Sequence, residues 1–196
     1  MQQFYFLRHG MTEWNQKKRI QGRTDIPLCP EGVAQMQARA AGMDPAYRLL
    51  DWYSSPLARA RQTAALLQLD AATDPALIEM NWGDWEGHTL AELRHARPDA
   101  MALEEARGLQ MTPPQGESPA RVLDRISHWA AQISHPAGIG CISHKGVIRA
   151  VYAAAADWDM QHKAPHKLDY NCLQQFGYAN GRWYLQALNL PLDKMQ

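Results

Sequence analysis

The 196-residue sequence predicts an α/β sandwich with a mainly parallel central sheet. Three observations point there. Short apolar runs alternate with stretches of helical periodicity, the pattern of strand–helix crossover units. Hydrophobic residues make up 46% and charged residues 20%, ordinary for a globular chain whose length suits one domain with a sizeable core. Polar groups stand where three apolar runs stop: Arg8-His9 after the first, SSPLAR after the second, and Ser143-His144 after the third. Open α/β sheets gather ligands at such strand ends.

The elements follow in order. Gln2 to Leu7 reads as a buried, aromatic-rich strand. PEGVAQMQARAAG reads as a helix opened by Pro30 and stopped by Gly42, with Ala34, Ala38 and Ala41 on one face. DWYSS is a short strand. PLARARQTAALLQL is helical, with Pro56 near its first turn and Leu57, Ala60, Ala64 and Leu67 at helical spacing. SPARVLDRISHWAAQI is a helix with Ser118 as N-cap, burying Val122, Ile126, Trp129 and Ile133. GIGCIS is a fully apolar strand and KGVIRAVYAAAAD the helix after it. CLQQFGYANGRWYLQAL reads as a hairpin turning at Asn180-Gly181. Between about 79 and 117 the pattern loosens around Trp82, Trp85, Pro98, Pro113 and Pro114. That stretch reads as a cap or insert of a single domain over 1–196.

The formal net charge is zero, so no global field favours nucleic acid or an anionic membrane. The basic run QKKR at 16–19 reads as a solvated face. Cys29, Cys141 and Cys172 are far apart and odd in number, which speaks against a disulfide framework or a structural zinc site. The opening residues lack the pattern of a signal peptide, and QFYFL is too short to cross a bilayer. A cytoplasmic location is expected.

The strand-end residues suit one chemistry. Arg8 and Arg59 are permanent cations whose planar forks match phosphoryl oxygens, and Asn15 can add an amide donor. Helix N-termini after each strand add backbone N–H groups. Gly10 allows close backbone approach. His9, kept neutral by neighbouring cations, would be a nucleophile toward phosphorus, and His144 a second contact to the phosphoryl group. Glu79, in LIEMNWGDWEG just after an apolar strand and beside Trp82, is the best proton donor for a leaving alkoxide. Asp84 and Glu86 compete for that role, and Glu86 is better read as a loop support. The remaining histidines lack ligand spacing and read as surface or loop residues.

These residues sit in blocks that resemble the histidine phosphatase, or phosphoglycerate mutase-like, superfamily. LRHGMTEWN, RIQGRTDIPLCPEG, SSPLARARQTA and SHKGVIRA match in order, with IEMNWGDWEG and GES at 116–118 as weaker blocks between. The resemblance implies a three-layer α/β/α fold and a phosphohistidine on His9. It implies a phosphate pocket of Arg8, Asn15, Arg59 and His144, and Glu79 as proton donor. Thr12, Gln21 and Gly22 would line the substrate side, with no metal and no cofactor required. The substrate would be a phosphorylated small molecule, and a homodimer is common among such proteins.

Two positions depart from the family pattern. Met11 stands where a Glu usually follows RHG, and Lys145 replaces the first Gly of His-Gly-Gly. At positive φ, Lys145 would store roughly 1 kcal/mol or more of strain. It also offers a cation at the pocket mouth for a second anionic group on the substrate. The expected activity is phosphomonoester hydrolysis. Cofactor-dependent phosphoglycerate mutation is the alternative, but Glu79 is followed by Met80, Asn81 and Trp82, and the cap lacks the adjacent Arg pair that resemblance to mutases calls for. A non-catalytic phosphoryl-binding regulator is a third reading, resting on Met11 and Lys145 alone.

Overall fold

The computed structural model describes residues 1–193, so the last three residues of the expected 1–196 span lie outside the described residues. The chain runs β1 (Gln2–Arg8), α1 (Glu13–Gln16), α2 (Pro30–Gly42), β2 (Asp51–Ser54), α3 (Ala58–Leu66), β3 (Ala71–Thr73), α4 (Leu90–Ala96), α5 (Pro98–Glu105), α6 (Pro119–Ala130), β4 (Ile139–Ser143), α7 (Lys145–Ala155), β5 (Leu173–Ala179) and β6 (Arg182–Leu190). The strands form one sheet in the order β3-β2-β4-β1-β5-β6. β3, β2, β4 and β1 pair in parallel, and β5 and β6 add antiparallel at the β1 edge. The expected α/β architecture is present.

Period-two alternation sends side chains to two cores and so makes three layers. Phe4 and Phe6 of β1 and Ile139 and Cys141 of β4 pack with Val122 and Ile126 of α6 and Val147 and Val151 of α7. Leu7 and Ile142 point the other way, onto Ala60, Ala64 and Leu67 at α3. β4 is buried at every position, as a strand covered on both faces must be. At Gly140 a Cβ would lie 2.3 Å from the Trp52 ring, so glycine is what lets that indole lie against the strand. The hairpin turns where expected: Asn180 and Gly181 both have positive φ, 51° and 75°, as a two-residue turn of this twist requires.

Three expectations change, and one left open is settled. In α2 Ala34, Ala38 and Ala41 do share one face, which is the exposed one, a point the spacing left open; Gly32 and Met36 are the buried residues. The contact is set by close approach: a Cβ on Gly32 would sit 2.1 Å from the Met11 carbonyl oxygen. Ile133 is half-buried, because α6 ends at Ala130. Glu79 does not follow a strand directly; β3 ends at Thr73, and a 3-10 turn over Pro75–Leu77, capped by the Asp74 side chain, intervenes. Pro75 has no N–H to extend the ladder. Lys145 opens α7 in a helical conformation, so the strain of a positive φ is absent.

The 79–117 stretch leaves and returns at one place. Glu117 N donates to Asn81 O at 2.8 Å, Asp84 N to Pro114 O at 3.0 Å, and the Asn81 amide to Gln115 O at 3.2 Å. Between these ties lie α4 and α5. α4 starts with a capping box between Thr89 and Glu92. Trp85 is buried and Trp82 half-buried, their ring centroids 6.1 Å apart. Arg94 pairs with Glu105 and Arg107 with Glu104. Among the described residues, no helix is long and apolar enough to cross a membrane.

Candidate active site

Three neighbouring parallel strands, β2, β4 and β1, end side by side, and the candidate site is built on the residues just past them. His9 N donates to Ser143 O at 3.0 Å and Ser55 N to Ile142 O at 2.9 Å, carrying the sheet's hydrogen bonding one residue further. This register brings the His9 and His144 rings to 5.1 Å between centroids. Both are buried.

His9 Nδ1 lies 2.7 Å from Gly10 O. A carbonyl only accepts, so the neutral ring carries its proton on Nδ1 and keeps a lone pair on Nε2. Burial first, then the Arg8 and Arg59 charges, hold His9 well below the usual imidazole range, so it is neutral at pH 7. His144 is lowered in the same way, by burial first and then by Arg59, His9 and Arg8. Its Nε2 lies 2.7 Å from Ser55 Oγ, which also accepts Leu57 N–H at 3.3 Å.

Arg59 is fully buried in the first turn of α3. Its fork donates to Gly22 O at 2.7 Å and Thr24 O at 3.0 Å. Gly22 is held there at φ +54°, where an added Cβ would fall 1.8 Å from Glu86 Oε1. Glu86 is the loop support it was expected to be, accepting from Arg23 N, Trp82 N, Thr24 N and the Thr24 hydroxyl. Among the described residues, four buried side-chain polar atoms find no partner in the protein: Arg8 Nε, Arg59 Nε, His144 Nδ1 and Gln21 Oε1. Buried donors rarely lack an acceptor, and two permanent cations with free N–H groups beside two neutral imidazoles make a setting for an anion.

Thr12 caps α1. Its hydroxyl accepts from Asn15 N and its N–H donates to Asn15 Oδ1, so its side chain serves the turn. That box fixes Asn15 on the wall of a cleft of about 160 Å³ shared with Arg8, His9, Gly10, Met11, Arg39 and Tyr170. On the Cβ side of Gly10 the space is taken by Met36 and Leu28, so that glycine fits the α2 layer. Met11 uses its carbonyl to accept Cys29 N at the start of α2.

Glu79 is buried, and burial raises its carboxyl pKa against the opposing pull of two backbone N–H groups, Arg59 and Arg8. The N–H donors are Met80 N, 2.8 Å from Oε1, and Gly146 N, 3.2 Å from Oε2. The competing Asp84 is exposed. Lys145 is exposed at the start of α7, its Nζ 5.5 Å from the centre of the Tyr170 ring.

The sequence reading missed several partners. Thr63 Oγ1 accepts Gly10 N at 2.9 Å and donates to Arg59 O at 2.7 Å, tying the first strand end to α3. Its place four residues after Arg59 on one helix face was the available signal. Ser55 and Tyr170 carry no local signal. Arg125 donates to Ile78 O at 2.6 Å and to Glu117, holding the segment that presents Glu79.

Comparison with known proteins agrees with this geometry. A sequence model described as the histidine phosphatase superfamily (branch 1) matches residues 4–191. A phosphoglycerate mutase-like protein of Arabidopsis thaliana is 33% identical over 158 residues, covering 76% of this chain and 69% of the relative. A probable phosphoglycerate mutase of Proteus mirabilis is 37% identical over 134 residues, covering 64% of this chain but only 60% of the relative's own length. Among solved structures, a mycobacterial glucosyl-3-phosphoglycerate phosphatase in complex with VO3 superposes with a TM-score of 0.80 at 28% identity, covering 97% of this chain and all of that one. With a match over nearly its whole length and the same fold, this chain belongs to the histidine phosphatase superfamily.

Proposed function

We propose that the protein is a phosphomonoester phosphatase that works through a phosphohistidine on His9 and needs no metal ion. The observation that carries this reading is the His9 tautomer: its Nδ1 proton is committed to Gly10 O, which leaves the Nε2 lone pair for attack. Nε2 attacks phosphorus as the bond to the ester oxygen breaks. Arg8, Arg59, Asn15 and His144 neutralise the phosphoryl oxygens. Ser55, already accepting Leu57 N–H, donates its hydroxyl hydrogen bond to the His144 Nε2 lone pair, so that the neutral ring carries its proton on Nδ1, facing the phosphoryl group as donor. Glu79 gives its proton to the leaving alkoxide, then takes one from the water that attacks the phosphohistidine. That step releases phosphate and restores neutral His9. A positioned acid of this kind contributes roughly 10²–10⁴ in rate. Gln21 and Gly22 shape the substrate side, while the buried Thr12 holds the turn that carries Asn15 rather than touching substrate itself. The 79–117 stretch serves as the cap of a single domain, and the enzyme is cytoplasmic.

The mutase alternative gains nothing from the cap, where Arg94 and Arg107 are both paired with glutamates. The test is phosphate release from p-nitrophenyl phosphate in excess EDTA, for the native chain and His9→Ala. Turnover that survives EDTA, disappears in His9→Ala and passes through an acid-labile phosphoenzyme is expected. Turnover persisting in His9→Ala would overturn the mechanism, and a native chain that binds phosphate esters without hydrolysing them would favour the regulator reading.

A further inference from the structure

The phosphate pocket accounts for Arg8 and Arg59, yet more cationic charge stands beside it. Tyr170 is half-buried between β5 and α7 and gathers it: Arg8 Cζ lies 5.8 Å from its ring centre and Lys145 Nζ 5.5 Å. Arg149, one turn along α7 from Lys145, also bears on the Tyr170 phenol and stacks on Trp158 at 4.9 Å. Among the described residues, Arg8, Lys145 and Arg149 have no salt-bridge partner. The nearby carboxylate is Glu79, which must carry a proton to act as the acid. Two charges on the phosphoryl group are matched by Arg8 and Arg59, which leaves Lys145 and Arg149 in excess.

We infer, resting on the phosphatase reading, that the substrate carries a second anionic group, a carboxylate or a second phosphoryl, and that Lys145, Arg149 and Tyr170 form the subsite that reads it. Two cations share the Tyr170 ring and a third, stacked on Trp158, bears on its phenol, and cation–π contact offsets only part of their mutual repulsion. Lys145 is exposed as a residue, but partial burial of its side chain, then the charges of Arg149 and Arg8, lower its pKa, so a bound anion would relieve the cluster. Lys145 follows His144 directly, its Cα about 3.8 Å away, so the second group lies close to the phosphoryl group and the substrate is compact. Lys145 is a flexible point charge and accepts either anion, while Arg149, fixed on Trp158, sets the direction.

The test uses two matched pairs of esters: 3-phosphoglycerate against glycerol 3-phosphate, and fructose 1,6-bisphosphate against fructose 6-phosphate. The first pair reads a carboxylate and the second a second phosphoryl. In the native enzyme at least one pair should favour the doubly acidic member about tenfold or more in kcat/KM. Lys145→Met should bring that ratio close to one, mainly through KM, and Lys145→Arg should keep most of it. A native ratio near one in both pairs, or an unchanged ratio in Lys145→Met, would overturn the inference. If no ester is hydrolysed, the phosphatase reading fails instead. Calorimetric binding of the same pairs to the native and Lys145→Met proteins then decides the subsite by the same ratios.

Discussion

Replacing Gly146 by Ala probes the proposed acid without touching its carboxyl group. The substitution lies in the first turn of α7, where exchanging Gly for Ala would ordinarily gain about 1 kcal/mol of helix stability. Here the new Cβ would fall 2.4 Å from Glu79 Oε1 and 3.3 Å from Met80 Cβ. The carboxylate is buried and held by Met80 N and Gly146 N, so it has to swing away and give up at least one of these bonds. A hydrogen bond to the protonated carboxyl contributes about 0.5–1.5 kcal/mol, which the helix gain of about 1 kcal/mol nearly offsets, so with one bond lost the net change in stability stays within about 0.5 kcal/mol, as urea denaturation would show. The kinetic effect is larger, since misplacing the acid forfeits up to about 10²–10⁴. It also depends on the leaving group. Glycerol leaves as a strongly basic alkoxide and needs the proton, whereas p-nitrophenolate leaves almost unaided. Gly146→Ala should therefore depress kcat on glycerol 3-phosphate by at least about a hundredfold more than on p-nitrophenyl phosphate. A variant that depresses both substrates equally, or keeps the alkyl ester rate within about twofold of native, would refute Glu79 as the proton donor.

Two further outcomes follow from the buried histidines. Both imidazole pKa values are depressed on folding, so below the unfolded value of about 6.5 the unfolded chain takes up protons that the folded chain refuses. Stability is then fully present above pH 6.5 and falls as pH drops toward the folded values, by about 1.4 kcal/mol per pH unit for each histidine. His144→Asn should flatten the slope of unfolding free energy against pH by about half that amount at pH 6.5 and by nearly all of it about a unit lower. The raised pKa of Glu79 acts with the opposite sign but is common to both proteins, so an unchanged slope would mean that His144 is charged in the fold. Ser55→Ala should lower kcat by about 10–100-fold, because His144 Nε2 loses its partner and the proton no longer stays on Nδ1. Ser55→Thr should restore most of the rate, and nitrogen NMR of the His144 ring should show the tautomer change in Ser55→Ala; an unmoved tautomer would dismiss Ser55 as its positioning partner.

The sequence was most legible where a local pattern and a burial requirement coincide. GIGCIS could only be a strand covered on both faces, and Leu57, Ala60, Ala64 and Leu67 share the buried side around α3 because helical spacing leaves no other choice. The candidate site was legible for a related reason: permanent cations and titratable groups at buried strand ends need an anion to be tolerable, and Arg8, Arg59 and His144 are among the described residues left with unpartnered buried atoms. What escaped depends on contacts distant in sequence. β3 is three residues long at a sheet edge and shows no alternation. α1 is one turn held by Thr12 and Asn15, and the Asn took the place of the Glu or Gln that flags a capping box. Which face of α2 is buried stayed open, because alanines mark a helix face without saying which neighbour it meets. Gly32 against the Met11 carbonyl decides that, and only the fold brings those two together.

The neck that joins residues 81–84 to 114–117 bears on how this enzyme could diversify. Because the excursion departs and returns at one hydrogen-bonded junction, its interior can grow, shrink or be exchanged for little added closure entropy, a cost that rises only with the logarithm of length. Glu79 lies outside the junction and is anchored to α7, so such an exchange would leave the acid where it is. On the proposed reading, the chain separates a reaction centre on the sheet from a replaceable selector. Grafting the excursion of another member onto this neck should transplant preference among leaving groups while the chemistry on His9 stays as it was.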